Sequence, residues 1–164
     1  MLDCAGPGCK CTDIAQQLAL GNLDINVILG GGQAKFYPST KHLPSYPAMV
    51  GERTDTQNLP ELWLKAQKDK GRKAVLISSA AEFRNVSLDD ADYVMGLLFP
   101  LHLPYVLDRG SDGPTLKDLT EKAIKILSKN EKGFFLFVEG GRIDMAHHEN
   151  KAKYVHIDFS LYLL

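Results

Sequence analysis

Features that assign many proteins to a class are absent or scarce in this sequence. No apolar run approaches the roughly 20 residues that a membrane-spanning helix needs. The longest runs, Phe134–Val138 and Ser160–Leu164, are far shorter. The formal net charge is −1, so composition does not indicate a nucleic-acid partner or an acidic membrane. The first residues, Met-Leu-Asp-Cys-Ala-Gly-Pro, have neither the basic nor the apolar region of a signal peptide.

Cysteine is also scarce, and its three copies, Cys4, Cys9 and Cys11, are crowded into the first eleven residues. An odd number so close together is compatible with a free-thiol cluster, part of a metal site, or disulfide halves whose partners lie elsewhere. The metal site is the weakest of these alternatives, because no second Cys or His pair follows at zinc-finger spacing.

The composition is that of one folded domain. Of the 164 residues, 45% are hydrophobic and 24% are charged, and a chain of this length buries about two thirds of its unfolded surface. Short apolar runs alternate with amphipathic segments, which predicts an α/β fold with a mostly parallel sheet covered by helices. The predicted strands are Asp24–Leu29, Ala74–Ile77, Tyr93–Leu98 and Phe134–Val138.

The predicted helices carry recognisable end signals. Thr12 is expected to cap a helix that ends at Gly21. Pro60 opens a second helix, and Thr115 caps a third with Asp118 at the N3 position, as in a capping box. The second helix is expected to turn these side chains inward: Leu59, Leu62, Trp63 and Ala66.

Two segments after the first predicted strand require an interpretation. Gly30–Gly32 follow the strand, but the spacing matches neither GxGxxG nor the Walker motif. We therefore interpret these glycines as a sharp turn beside neighbouring backbone, and a nucleotide-binding module has little support. Gln33–Gln57 is polar and rich in Pro and Gly, which predicts a long surface excursion.

The stretch after Phe134–Val138 carries the candidate chemistry. Glu139 would lie at the carboxyl end of a buried strand, where open α/β sheets bind ligands. If the chain becomes helical after Gly140–Gly141, Asp144 and His148 lie four residues apart on one face. A carboxylate and an imidazole so placed can bind one divalent ion, while Glu139 serves that ion or a neighbour. The alternative is a helix-capping Glu followed by an exposed polar surface.

The residues from position 138 read Val-Glu-Gly-Gly-Arg-Ile-Asp-x-x-His-His-Glu and closely resemble the metal-binding segment of alkaline phosphatases, the animal type in particular. Residues 12–18, 24–32 and 116–130 are also similar to the family. The resemblance covers roughly residues 9–153. We therefore interpret residues 1–164 as a single partial domain, in which residues 154–164 form a divergent tail.

The resemblance implies part of a three-layer α/β/α sandwich. It also implies hydrolysis of phosphate monoesters through a phosphoserine intermediate, with two zinc ions and one magnesium ion. By match to the family, Glu139 would bind magnesium, whereas Asp144 and His148 would bind one of the zinc ions. The family cysteine that matches Cys11 pairs with an upstream cysteine that is missing here.

Other parts of the family site are also missing from this sequence. It contains no Asp-Ser dipeptide, so the family's Asp-Ser-Ala nucleophile segment is absent, and no catalytic residue is assigned. The phosphate-binding Arg would lie upstream, and an Asp-His pair and a further His would lie beyond Leu164. We therefore expect an internal fragment of an alkaline phosphatase that is inactive alone. The alternative is an inactive truncated domain with at most weak divalent-metal binding.

The resemblance further implies a phosphomonoester substrate and a homodimeric parent protein with no nucleic-acid partner. The parent would be secreted or tethered to the extracellular face of the plasma membrane, for example through a GPI anchor. Asn85-Val86-Ser87 is an N-glycosylation sequon, which is meaningful only if the parent is secreted.

Overall fold

The computed structural model describes residues 12–110 and 113–162, with side chains to residue 160; the three cysteines lie outside this range. The strands are β1 (Val27–Gly30), β2 (His42–Leu43), β3 (Tyr46–Val50), β4 (Ala74–Ile77) and β5 (Tyr93–Leu97). The helices are α1 (Ile14–Gln16), α2 (Leu59–Asp69), α3 (Ala80–Asn85), α4 (Leu116–Leu127), α5 (Gly141–His148) and α6 (Ala152–Tyr162). A π-helical turn (Gln17–Gly21) continues α1, and a 3-10 helix spans Gln33–Lys35.

The central sheet is parallel, with the strand order β1-β5-β4. Val27 of β1 pairs with Val94 of β5, and Val75 of β4 pairs with the same Val94. Parallel neighbours need long crossover connections, and the segments between these strands contain helices α2 and α3. A separate antiparallel hairpin joins β2 to β3. The predicted α/β class with a mostly parallel, incomplete sheet is therefore confirmed.

Both faces of the sheet are covered, as the side chains of β5 and of Leu98, the residue after it, show. Val94 and Leu98 belong to a buried cluster that also contains Leu119 of α4. Met95 and Leu97 point to the opposite face and pack in a cluster with Trp63 of α2. Successive side chains of a strand alternate between faces, so β5 links two hydrophobic layers. This arrangement places helices on both sides of the sheet, as in a three-layer α/β/α fold.

The helix ends agree partly with the sequence prediction. At α4, the Thr115 hydroxyl accepts a hydrogen bond from the Asp118 N–H (2.9 Å), and the Asp118 carboxylate accepts one from the Thr115 N–H (2.7 Å), so the capping box is confirmed. The predicted cap at Thr12 is wrong. Asp13 caps α1 instead, because its carboxylate accepts a hydrogen bond from the Gln16 N–H at 3.0 Å.

The inward face of α2 also differs from the prediction at one position. Leu59 and Trp63 are fully buried, but Leu62 is exposed. The polar side chain of Gln67 lies inside, where its amide donates a hydrogen bond to the Leu23 carbonyl oxygen at 2.7 Å. A buried amide is tolerated when it has such a partner, and hydrophobic patterning alone does not reveal it.

The Gln33–Gln57 segment was predicted to be a surface excursion, which holds for its mostly exposed middle, residues 39–42 and 44–50, but is wrong for the residues on either side of it and for Leu43. Phe36 and Leu43 are buried in the core cluster with Trp63. Arg53 is also buried, and its guanidinium makes paired hydrogen bonds to the carboxylates of both Asp13 (2.9 and 2.8 Å) and Asp55 (2.9 and 2.6 Å). Buried polar side chains such as Arg53 are tolerated here because they have hydrogen-bond partners, which composition cannot show.

The glycine turn after β1 agrees with the structural interpretation. Gly32 has a φ of 80°, in the left-handed region that favours glycine. A Cβ atom at Gly31 would overlap the carbonyl oxygen of Leu101, so only glycine fits at this close approach. The turn therefore serves backbone packing against the loop that follows β5.

Phe134–Val138 was predicted to be a buried strand, and this prediction is wrong for the part of the chain that the structure describes. The segment forms no β-ladder there. Phe135 and Phe137 are 87% and 74% exposed. A strand pairs only if another strand lies along its edge, and its side chains are buried only if other residues cover its faces. The described residues supply no paired strand for this segment, and they leave Phe135 and Phe137 uncovered.

The predicted divergent tail continues as helix α6, which packs against α5. The Tyr154 hydroxyl donates a hydrogen bond to the Asp108 carboxylate at 3.0 Å, and the Val106 N–H donates one to Asp158 at 3.4 Å. These contacts attach α6 to the loop after β5. Among the described residues, no helix combines the length and the apolar character needed to cross a bilayer.

Candidate metal centre

Helix α5 begins at Gly141, two residues after Glu139, so the chain becomes helical where the sequence predicts. Gly140 precedes the helix with a φ of −86° and a ψ of 54°, so the backbone turns there without a side-chain cap. The Glu139 Oε1 atom lies 3.7 Å from the position that a Cβ on Gly141 would occupy. The carboxylate therefore lies beside the first turn of α5, where the helix dipole stabilises negative charge.

Asp144 and His148 lie one turn apart on the same face of α5. The His148 Nε2 and Asp144 Oδ2 atoms are 3.5 Å apart. Their side chains are 80% and 78% exposed, so nothing in the described chain covers them. The helix therefore holds a carboxylate oxygen and an imidazole nitrogen side by side and open to an incoming ion, as the four-residue spacing predicts.

Glu139 and Asp144 share an open cleft of about 460 Å³ in front of α5, together with His147 and Phe159. His148 does not line this cleft. The predicted ligands therefore adjoin one another in two pairs, Glu139 with Asp144 and Asp144 with His148. Over residues 12–110 and 113–162, no group of three or more His, Cys, Asp or Glu side chains is arranged to hold one metal ion.

His147 lies on the same cleft as Glu139 and Asp144. Its Nδ1 atom lies 2.8 Å from the carbonyl oxygen of Ile143, one turn back along α5. A backbone carbonyl that holds one ring nitrogen orients the imidazole and leaves the other ring nitrogen to face the cleft, as in many metal-binding histidines.

The C-terminal end of α5 is fixed by a Schellman motif. Asn150 has a φ of 56°, and its N–H donates a hydrogen bond to the His147 carbonyl oxygen at 3.0 Å. The Lys151 N–H donates one to the Ala146 carbonyl oxygen at 2.9 Å. These two bonds satisfy carbonyl groups that the helix end leaves open, and they reverse the chain into α6.

A cluster of aromatic and charged side chains behind α5 was not found by sequence reasoning. The Arg142 guanidinium lies 3.9 Å from the ring centroid of Tyr105, and the Lys151 ammonium lies 5.1 Å from the same ring. Lys151 also forms an ion pair with Glu149 at 2.6 Å. This hydrogen bond lowers the pKa of Glu149 and raises the pKa of Lys151. Cation–π contacts of this kind hold α5 against the loop after β5.

The same cluster contains buried polar atoms with no hydrogen-bond partner in the described chain: the Tyr105 hydroxyl, Arg142 Nε and Asp158 Oδ2. Burial raises the pKa of the Asp158 carboxyl group. No local sequence signal marks this cluster, because its members come from a loop, from α5 and from α6 and meet only in the folded chain.

Comparison with known proteins identifies the family. The family model described as alkaline phosphatase matches residues 4–157. The chain is 40% identical over 155 residues to an alkaline phosphatase of Gadus morhua, a match that covers 92% of this chain and 32% of that enzyme. It is 41% identical over 150 residues to the tissue-nonspecific isozyme of Homo sapiens, covering 89% of this chain and 28% of that enzyme.

A membrane-bound alkaline phosphatase of Bombyx mori is 43% identical over 147 residues, which cover 87% of this chain and 26% of that protein. The crystal structure of Thermus thermophilus alkaline phosphatase superposes with a TM-score of 0.67 at 27% identity, covering 88% of this chain and 27% of that one. The chain thus spans between a quarter and a third of the length of these relatives. Its sequence and fold together establish that the chain belongs to the alkaline phosphatase family.

Proposed function

We propose that this chain carries part of the metal site of an enzyme that hydrolyses phosphate monoesters. The observation that carries the proposal is the exposed Asp144–His148 pair on α5, with Glu139 at the start of the same helix. Family membership supplies the reaction class, and these three side chains supply donors of the kinds that zinc and magnesium prefer.

The residues fit the proposed ions in part. Zinc in proteins takes four ligands, or three ligands and a water molecule, and Asp144 with His148 supplies two. The remaining ligands would come from outside the described residues. Glu139 offers the hard oxygen ligand that suits magnesium, in a cleft that it shares with Asp144.

Bound zinc and magnesium would neutralise charge on the phosphoryl group, which is the main requirement for phosphoryl transfer. The role of this chain is to hold the three donors at fixed positions. Helix α5 does so for Asp144 and His148, and the Gly140 turn sets Glu139 at the helix N-terminus. A phosphoserine intermediate would require a serine nucleophile from another part of the protein, because these 164 residues contain no Asp-Ser dipeptide.

The alternative function is that of an inactive domain which binds at most one divalent ion weakly. The absence of a three-ligand cluster from the described residues favours this alternative for the chain acting alone. The two functions do not exclude each other. A complete enzyme would bind zinc through Asp144, His148 and further ligands. The isolated chain would have only Asp144 and His148 and would bind one divalent ion weakly.

The location and assembly of the parent protein follow from the same family. We propose a secreted or membrane-tethered homodimer, held by a GPI anchor where it is tethered, which is consistent with the membrane-bound relative from Bombyx mori. The Asn85 side chain is exposed at the end of α3 and is accessible to a glycosyltransferase in such a protein. We expect the chain secreted from animal cells to lose mass on treatment with peptide N-glycosidase, and the Asn85→Gln chain to show no such loss.

Isothermal titration of the full chain with zinc tests the metal site. We expect weak binding near one equivalent, and we expect Asp144→Ala or His148→Ala to reduce the affinity at least tenfold. His42→Ala is the matched control, because His42 is also exposed but lies on the β2–β3 hairpin. Binding that is equal in all four proteins, or absent from the wild type, would contradict the proposed site.

A second measurement addresses catalysis by the isolated chain. We expect no turnover of 4-nitrophenyl phosphate with zinc and magnesium added, because the nucleophile and most of the ligands for two zinc ions are not among these residues. Hydrolysis that Asp144→Ala abolishes would show instead that this chain assembles a working site by itself.

A further inference from the structure

The ring of Tyr105 contacts cations at both ends of helix α5. Tyr105 lies in the loop after β5 and is only 3% exposed. The guanidinium of Arg142, the second residue of α5, lies 3.9 Å from the centroid of this ring, and the Lys151 ammonium, three residues after the helix, lies 5.1 Å from it. The attraction between a cation and an aromatic ring is larger where water is excluded. One buried ring therefore holds the beginning and the end of the helix.

This contact lies on the face of α5 opposite the proposed metal ligands. Successive residues of a helix are about 100° apart around its axis. Measured from Arg142, the buried Ala146 falls at about 40°. Asp144 and His148 fall at about 200° and 240°, and their side chains are exposed. The ring therefore contacts the helix without approaching the ligand pair, and any effect on that pair must pass through the helix.

Helix α5 is too short to be stable by itself. It has eight residues, whereas isolated helices shorter than about 12–15 residues are marginal in water. Its first turn follows Gly140 and has no side-chain cap. Asp144 and His148 adjoin each other only while the turn between them is helical. Since an apparent affinity falls with the fraction of molecules in the binding conformation, contacts that keep α5 helical control how tightly the pair binds an ion.

Helix α6 supports the ring of Tyr105. The Tyr154 ring meets it edge-on, with the centroids 5.0 Å apart and the planes at 75°. The Tyr154 hydroxyl is bonded to Asp108, which lies in the same loop as Tyr105. Lys151 is held in turn by its ion pair with Glu149 at 2.6 Å. The ring and its cations are thus arranged by the chain itself, in the absence of a metal ion.

The aromatic ring of Tyr105 makes these contacts, and its hydroxyl group does not contribute to them. The hydroxyl oxygen is buried and has no hydrogen-bond partner among the described residues. Phenylalanine keeps the ring and should therefore replace Tyr105 without loss. Leucine also fills apolar space but has no π electrons to attract a cation.

We propose that Tyr105 is a positioning residue for the metal site. Its ring holds Arg142 and Lys151, keeps α5 helical, and so keeps Asp144 and His148 side by side. The inference rests on the proposed function, because it assigns Tyr105 a role toward the ion that this pair would bind. It adds to the site a residue that touches neither the ion nor a substrate.

The zinc affinity of the full chain, measured by isothermal titration, is the first readout. We expect Tyr105→Leu to weaken binding about tenfold, as for other groups that orient metal ligands, and Tyr105→Phe to bind as the wild type does. Tyr93→Leu is the matched control, because the Arg72 guanidinium lies 4.5 Å from the Tyr93 ring, but Tyr93 belongs to β5. This control should lower the melting temperature and leave the zinc affinity unchanged. Circular dichroism verifies that each protein is folded at the temperature of the titration.

Amide hydrogen exchange without metal is the second readout, and it reports on α5 directly. The Glu149 N–H donates a hydrogen bond to the Met145 carbonyl oxygen at 3.0 Å, across the last turn of the helix. We expect the Glu149 amide to exchange about tenfold faster in Tyr105→Leu than in the wild type or Tyr105→Phe. The Leu119 amide, in α4, should exchange at the same rate in all three proteins.

Arg142→Met provides an independent variant if Tyr105→Leu does not fold. It removes the cation and leaves the ring, so it should weaken zinc binding and speed Glu149 exchange in the same direction. Because both substitutions break one contact, adding Arg142→Met to Tyr105→Leu should cause little further loss.

The possible failures are distinguishable. Equal zinc affinity in the wild type, Tyr105→Leu and Arg142→Met would overturn the positioning role and leave the proposed function standing. A wild type that binds no zinc would overturn both, before any variant is measured. An equal loss in Tyr105→Phe would assign the effect to the hydroxyl group, and an equal loss in Tyr93→Leu would assign it to general loosening of the fold; either result contradicts positioning by the ring.

Discussion

The buried Arg53 offers the sharpest test of what holds the first third of the chain together. Its guanidinium makes two hydrogen bonds to Asp13 and two to Asp55, and it donates a fifth to the Lys35 carbonyl oxygen at 3.2 Å. It thereby joins the start of α1, the 3-10 helix and the loop before α2. We predict that Arg53→Met, which keeps much of the side-chain volume, destabilises the chain by about 2–3 kcal/mol.

This magnitude lies between two limits. An exposed ion pair contributes about 0–1 kcal/mol, and removal of one partner from a buried pair costs about 3–5 kcal/mol. Arg53 is 5% exposed, but the Asp13 and Asp55 side chains are 50% and 38% exposed and can regain water when the cation is lost. For a chain of this size the loss corresponds to a decrease in melting temperature of about 4–12 °C.

The effect of pH on Arg53→Met follows from the two carboxyl groups. Hydrogen bonds from Arg53 are the largest cause of the lowered pKa of both Asp13 and Asp55. A group with a lowered folded-state pKa stabilises the protein above its unfolded pKa, near 3.8, and this stabilisation is lost as the pH falls through the folded value. The stability difference between wild type and variant should therefore be constant from pH 7 to about pH 5 and shrink below pH 4.

Urea unfolding followed by circular dichroism at pH 7, 5 and 3 measures these differences. Lys35→Met is the control, because the ion pair of Lys35 with Glu52 is exposed and its loss should cost less than about 1 kcal/mol. The reasoning is refuted if Arg53→Met costs no more than Lys35→Met at pH 7. It is also refuted if the cost at pH 3 equals that at pH 7.

Two further substitutions test local features of the fold. Thr115→Ala should cost about 1 kcal/mol in urea unfolding, because it removes the hydroxyl that caps α4, and Thr115→Ser should restore most of the loss; equal stability of all three proteins would contradict the capping role. Gly31→Ala should cost about 1–3 kcal/mol, because its Cβ would overlap the Leu101 carbonyl oxygen. Gly21→Ala, where no atom lies within 4 Å, is its control, and equal melting temperatures for the two alanine variants would show that the Leu101 loop can move aside.

The sequence predicts the parts of this fold that depend on short-range physics. The capping box at Thr115 and the helix after Gly141 were predicted correctly, because each requires only a few adjacent residues. The four-residue spacing of Asp144 and His148 likewise predicts that they share a helix face. Arg53 and Tyr105 were missed, because what matters about them is a partner distant in sequence, a carboxylate at Asp13 or a guanidinium at Arg142.

The buried-strand prediction for Phe134–Val138 failed because the apolar pattern describes surroundings that the described residues do not supply. Five apolar residues in a row are typical of a strand with both faces and both edges covered, so the pattern describes the surroundings that the segment needs. In the described chain only the α4 face is present, and Phe135 and Phe137 remain in solvent.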